Sequence, residues 1–94
     1  MATFILICRD KPGGLDLRMA TRETHLAWIG ENRDKVTRAG PILGDDGGPV
    51  GSVLFLEATT RAEAEAIAAA DPYAKAGLFE SSDLLAWRQT VGAP

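Results

Sequence analysis

Three segments, Phe4-Ile5-Leu6-Ile7-Cys8, Val53-Leu54-Phe55-Leu56 and Leu84-Leu85-Ala86-Trp87, are apolar at every position. Successive residues of a strand point to opposite faces, so a strand made from any of them has two faces to bury. Phe4, Leu6 and Cys8 point one way while Ile5 and Ile7 point the other; Val53 and Phe55 oppose Leu54 and Leu56, and Leu84 and Ala86 oppose Leu85 and Trp87. A sheet with one solvated face alternates apolar and polar residues instead. Whatever fold the chain adopts must therefore cover both sides of its sheet.

The segments between these runs supply cover for one side. Thr3 to Cys8 reads as a first strand, ended by Lys11-Pro12-Gly13-Gly14. Thr21 suits a helix N-cap, Glu23 suits the positive first turn, and Leu26, Ile29, Arg33 and Val36 follow at helical spacing. With Lys35 and Arg38 at the negative end and Gly40 as the stop, the first helix is expected from Thr21 to Arg38. Pro41 to Gly44 is a short strand, Asp45 to Pro49 a turn, and Val50 to Ala58 a third strand. Thr60-Arg61-Ala62-Glu63 matches a capping box and opens an Ala-rich helix that runs to Ala70, where Asp71-Pro72 halts it. Phe79 to Gln89 is the last strand. The order β-α-β-β-α-β is the ferredoxin-like split βαβ pattern of an α+β fold. Two helices cover one face of four strands, and no linker divides the 94 residues, which read as one domain spanning residues 1–94. A second copy of the chain is the simplest cover for the other face, so a homodimer is expected.

Charge and residue usage exclude several classes of partner. The net charge is −3 and no Lys/Arg stripe is present to neutralise phosphates, which argues against nucleic acid. No apolar run approaches the ~20 residues that span a bilayer, and no basic segment precedes a long apolar one at the N-terminus, so no membrane partner is expected and the cytoplasm is the expected compartment. The lone Cys8 has no disulfide partner and reads as a buried thiol. One His and one Cys do not make a usual protein-only zinc site, so no metal is expected.

The topology gathers the remaining polar residues. The end of strand 1, the start of helix 1, the start of strand 3 and the end of helix 2 meet at one end of this fold, which brings Asp10, Arg22, His25, Ser52, Asp71 and Tyr73 together. His25 is the single imidazole, on the border of the buried helix face beside Leu26 and Ile29. Its unperturbed titration near neutral pH suits a general base or acid; its other reading is a packing residue. A carboxylate would orient it and stabilise its charged form. Asp71 is the first candidate and Asp10 the second. Ser52 is a weak nucleophile candidate, because a Gly-Ser at a strand start more often serves close approach and a neighbouring hydrogen bond. Arg18 and Arg22 have the chemistry to clamp an anion. Gly47-Gly48 joins two strands and opens no helix, so it is no phosphate loop.

Asp10-Lys11, Leu15, Arg18, Arg22, His25 and Leu26 resemble the N-terminal half of YciI-like (YCII-related) proteins. Ala39-Gly40-Pro41, Gly51-Ser52 and Asp71-Pro72-Tyr73 followed by Ala76-Gly77 resemble the rest. The resemblance implies a dimeric ferredoxin-like α+β barrel, an architecture shared with muconolactone isomerases, dehydrochlorinase-like enzymes and cofactor-free monooxygenases. It also implies an active site built on a His–Asp pair, carried here by His25 and Asp71, with Asp10, Arg22 and Ser52 at other recurrent positions. The loop after Gly44 is compact, which implies a more open pocket than in longer relatives. The function expected is proton transfer without a cofactor, an elimination or isomerisation on a small ring-bearing carbonyl or phenolic substrate. The alternative is a ligand-binding or accessory module without turnover.

Overall fold

A computed structural model of the chain describes residues 1–92. Its elements are β1 (Ala2–Asp10), α1 (Leu15–Glu31), β2 (Val36–Leu43), β3 (Pro49–Ala58), α2 (Arg61–Ala70), α3 (Pro72–Lys75) and β4 (Phe79–Trp87). The four strands form one antiparallel sheet in the order β2-β3-β1-β4, the ferredoxin-like α+β arrangement. The doubly apolar β1 and β3 are its two central strands, paired from Ala2↔Ala58 to Arg9↔Gly51.

One face of the sheet carries the core. Phe4, Leu6 and Cys8 of β1 and Leu54, Leu56 and Ala58 of β3 are buried there with Val36, Ala64 and Ile67, and Trp28 and Ile29 of α1 pack against them. The opposite face presents Ile5, Ile7, Val53 and Phe55 half-buried, with Leu85 and Trp87 exposed beside them. Phe55 and Trp87 meet edge to face at 5.2 Å.

The second helix forms as its sequence signals: Thr60 accepts a 3.2 Å bond from the Glu63 amide. Its small residues let it lie close to the sheet, with Ala64 and Ile67 inward.

Helix α1 differs from the sequence expectation at both ends. It begins at Leu15, six residues before Thr21, because Gly14 caps it without any side-chain bond. Thr21 lies inside the helix, and its hydroxyl donates to the Leu17 carbonyl. An alanine at position 14 would bring its Cβ to 2.9 Å from Leu78 and 3.0 Å from the Lys11 carbonyl, so the cap selects for absence of a side chain. At the other end the helix stops at Glu31. The Val36 amide bonds the Asn32 carbonyl at 2.7 Å and turns the chain into β2. Val36 and Arg38 therefore belong to a strand, Gly40 lies within it rather than ending a helix, and β2 begins five residues before Pro41.

The chain does not run straight from α2 to β4. Asp71 ends α2 and caps α3, accepting a 2.8 Å bond from the Tyr73 amide with Pro72 in the first turn. Proline at that place lacks only an N–H that would be unpaired anyway. The last strand ends at Trp87 rather than Gln89.

Candidate active site

Arg18, Arg22, His25 and Ile29 lie at intervals of four, three and four residues and so form one stripe of α1. All four line a cavity of about 200 Å³ between the helix and the sheet. Met19 and Leu26 flank them, and Ala39, Gly40, Pro41, Pro49, Ser52, Leu54 and Tyr73 complete the lining. Arg18 and His25 are the two buried residues of α1. His25 therefore sits within the buried face rather than on its border, and Leu26 is the half-exposed neighbour. A helix whose inward stripe is polar at its first half has little amphipathic contrast, which is why its start was hidden in the sequence.

Arg18 is the hub of the polar cluster. Its Nε and Nη2 donate to both oxygens of Asp10 at 2.7 and 2.9 Å, and Nη2 also donates to Ser52 Oγ at 2.9 Å. Burial opposes the guanidinium charge, but the hydrogen bond and charge of Asp10 outweigh it and raise the Arg18 pKa. Its Cζ lies 4.5 Å from the centre of the Tyr73 ring. Arg18 is thus a structural cation, not half of an anion clamp. Asp10 stands behind Arg18, away from the cavity lining, with both oxygens committed. Ser52 does line the cavity, placed there by close contact between strands: a Cβ on Gly51 would come 2.3 Å from the Cys8 carbonyl oxygen.

The Tyr73 ring links this cluster to His25. The two rings stack at 4.0 Å with 21° between their planes, and Phe79 meets Tyr73 edge to face on another side. Burial is the main cause that raises the Tyr73 pKa, against the lowering effect of Arg18 and Arg22.

His25 Nε2 lies 3.4 Å from Asp71 Oδ1, with side chains 8% and 0% exposed. That separation exceeds a formed N–H···O bond, and both His25 Nε2 and Asp71 Oδ2 are buried without a hydrogen-bond partner. Asp71 is aimed by its second task, since the Oδ1 that caps α3 is the same atom that faces the imidazole. Helix α3 packs on α1 and closes the geometry. No such helix was expected from the sequence, although Asp-Pro at the end of one helix is also a start signal for another.

Cys8 lies between Ser52 and Ser82 in the sheet register. Burial, reinforced by the charges of Asp71 and Asp10, pushes its pKa up to about 12, so it stays a neutral thiol. No cluster of three or more metal-ligating side chains occurs among the described residues, and no helix among them is long and apolar enough to cross a membrane.

The profile of the YCII-related domain matches residues 2–88. Protein YciI of Escherichia coli O6:H1 is 32% identical over 85 residues, covering 82% of this chain and 87% of that protein. Among solved structures, 5-chloro-2-hydroxyhydroquinone dehydrochlorinase (TftG) of Burkholderia phenoliruptrix AC1100, in complex with 2,5-dihydroxybenzoquinone, superposes with a TM-score of 0.85. It is 32% identical, over 94% of this chain and 95% of that one. An antibiotic biosynthesis monooxygenase-like protein of Nitrosomonas europaea shares the fold at a TM-score of 0.55 and 21% identity, covering 97% of this chain and 100% of that one. The match across nearly all of the sequence, and the likeness of the fold, make this chain a member of the YCII-related domain family.

Proposed function

We propose that the protein is a small enzyme that moves a proton on a single-ring phenolic or carbonyl substrate, with His25 as the base and Asp71 as its orienting partner. The observation that carries this is the buried approach of Asp71 to His25 Nε2 at the wall of a ring-sized cavity. A proton held on Nε2 beside the carboxylate leaves Nδ1 with the lone pair, and Nδ1 has no partner within the protein among the described residues. Substrate binding would shorten the 3.4 Å approach, as unliganded catalytic contacts often tighten in the complex. Asp71 would then stabilise the imidazolium that forms, and the electron pair released would pass toward the ring carbonyl. A leaving group on the ring then departs (elimination), or a proton returns elsewhere (isomerisation). Neither needs a metal or a cofactor, and a placed base contributes ~10²–10⁴-fold. The likeness to a dehydrochlorinase acting on a hydroxyhydroquinone supports the ring-substrate class.

The test is a turnover screen of halogenated hydroquinones, hydroxyquinones and lactones, read by absorbance and by halide release, with His25→Asn as control. Turnover abolished in that variant is the expected result. Binding of these rings without turnover would replace the enzyme by a binding module.

We also place the protein in the cytoplasm as a homodimer, with a second copy covering Ile5, Ile7, Val53, Phe55, Leu85 and Trp87. The support for the homodimer is the uncovered apolar sheet face.

A further inference from the structure

The cavity holds two arginines, but only one has a free charge. Arg18 is neutralised by a two-pronged contact with Asp10. Arg22, one turn further along the same stripe, lines the cavity and makes no hydrogen bond or ion pair with any described residue. Its charge reaches the site, since it lowers the Tyr73 pKa against the larger effect of burial. Apart from Arg22 and the polar groups of Arg18, His25, Ser52 and Tyr73, the walls are apolar: Met19, Leu26 and Ile29 on the helix side, Pro41, Pro49 and Leu54 on the sheet side. A cavity of ~150 Å³ holds one benzene. At about 200 Å³ this slot takes one substituted ring and not two.

From this charge balance we infer that the site selects an anion: a single planar ring carrying an ionised oxygen, held by the Arg22 guanidinium with the ring face between α1 and the sheet. The inference rests on the ring-substrate reading above and deepens it. An oxygen ionised on the ring and a carboxylate attached to it share this chemistry. A guanidinium donates to either with charge-assisted bonds, which are stronger than neutral ones. A neutral ring gains only the apolar contact. Arg22 is then the residue that sets substrate charge, while His25 faces the reacting carbon.

Calorimetric titration with three probes at neutral pH tests it. The probes are 2,5-dihydroxybenzoquinone, a vinylogous acid ionised at that pH; benzoate; and hydroquinone, whose phenols stay neutral. Arg22→Gln is exposed on a helix and replaces one good helix former by another, so the fold is kept. The expected result is that Arg22→Gln weakens the ionised quinone by roughly 10- to 100-fold and hydroquinone by less than about twofold, with Arg22→Lys recovering part of the loss. Benzoate following the same Arg22 dependence would support the inference with a carboxylate as the ionised oxygen; benzoate failing while the quinone binds would support it with a ring oxygen. Equal effects of Arg22→Gln on charged and neutral rings, or none on either, would overturn the inference and leave the ring-substrate reading intact. Failure of every ring to bind the wild-type protein would overturn both.

Discussion

Cys8 and Asp10 lie two residues apart on β1, and each stands behind the cavity rather than in it. Asp10 exists to hold Arg18, and the pair is nearly sealed, with side chains 6% and 5% exposed. Removing one partner of such a pair strands the other charge. We expect Asp10→Ala to lower unfolding stability by about 3–5 kcal/mol, measured by urea denaturation; a loss below about 1 kcal/mol would deny Arg18 its role as hub. Cys8 gives a pH signature. Its folded pKa is raised to about 12 from the thiol's ordinary 9.0, so the fold favours the neutral thiol. That contribution is complete below pH 9 and is lost as pH rises toward 12. Melting temperature should therefore fall across this window, and less steeply in Cys8→Ala. An identical slope in the variant would refute the assignment. His25 and Asp71 were legible as residues, because a single imidazole and an Asp-Pro-Tyr are easy to see. Topology and the resemblance put Asp71 before Asp10 as the partner of His25; what was not legible is that Arg18 occupies both oxygens of Asp10.

Helix α3 has only four residues, yet it carries the site's orientation. Asp71 does two things there, capping the helix and facing His25. The two separate by substitution. Asparagine caps about as well as aspartate, whereas alanine forfeits about 1 kcal/mol. Asp71→Asn should therefore keep the melting temperature close to wild type and still lose turnover, while Asp71→Ala should lose both. Wild-type turnover in Asp71→Asn would remove the carboxylate from the mechanism. At this scale the sequence spoke clearly where side chains make the local bonds. Thr60 and Glu63 marked α2 because the cap is a side-chain contact. The start of α1 carried no such mark, because Gly14 caps with backbone alone, and its end was overrun because Val36 happens to fall on the helical period.

The whole molecule has one covered and one uncovered sheet face. Obligate interfaces between copies commonly bury ~2,000 Å² or more, and the open face supplies the apolar residues for one. We expect sedimentation to show a dimer at micromolar concentration. Phe55→Asp, at the middle of that face, should dissociate and unfold the chain together, because folding and assembly are linked. A stable folded monomer of the wild type would sink the second-copy reading and point to another cover.

The doubly apolar strand runs, the order of elements and the Thr60 cap are properties of local segments, so the sequence alone determined the α+β ferredoxin-like class and the end of the fold where polar residues gather. Three matters were decided only in three dimensions. Arg18 became a buried structural cation because β1 and β3 deliver Asp10 and Ser52 to it. Tyr73 became the platform for His25 because α3 packs on α1. Arg22 lines the cavity while Arg18, one turn before it on the stripe, holds Asp10. Each depends on which of several possible partners the packed chain places within reach. Pairing among charges and rings distant in sequence is a property of the packed chain, not of any segment within it.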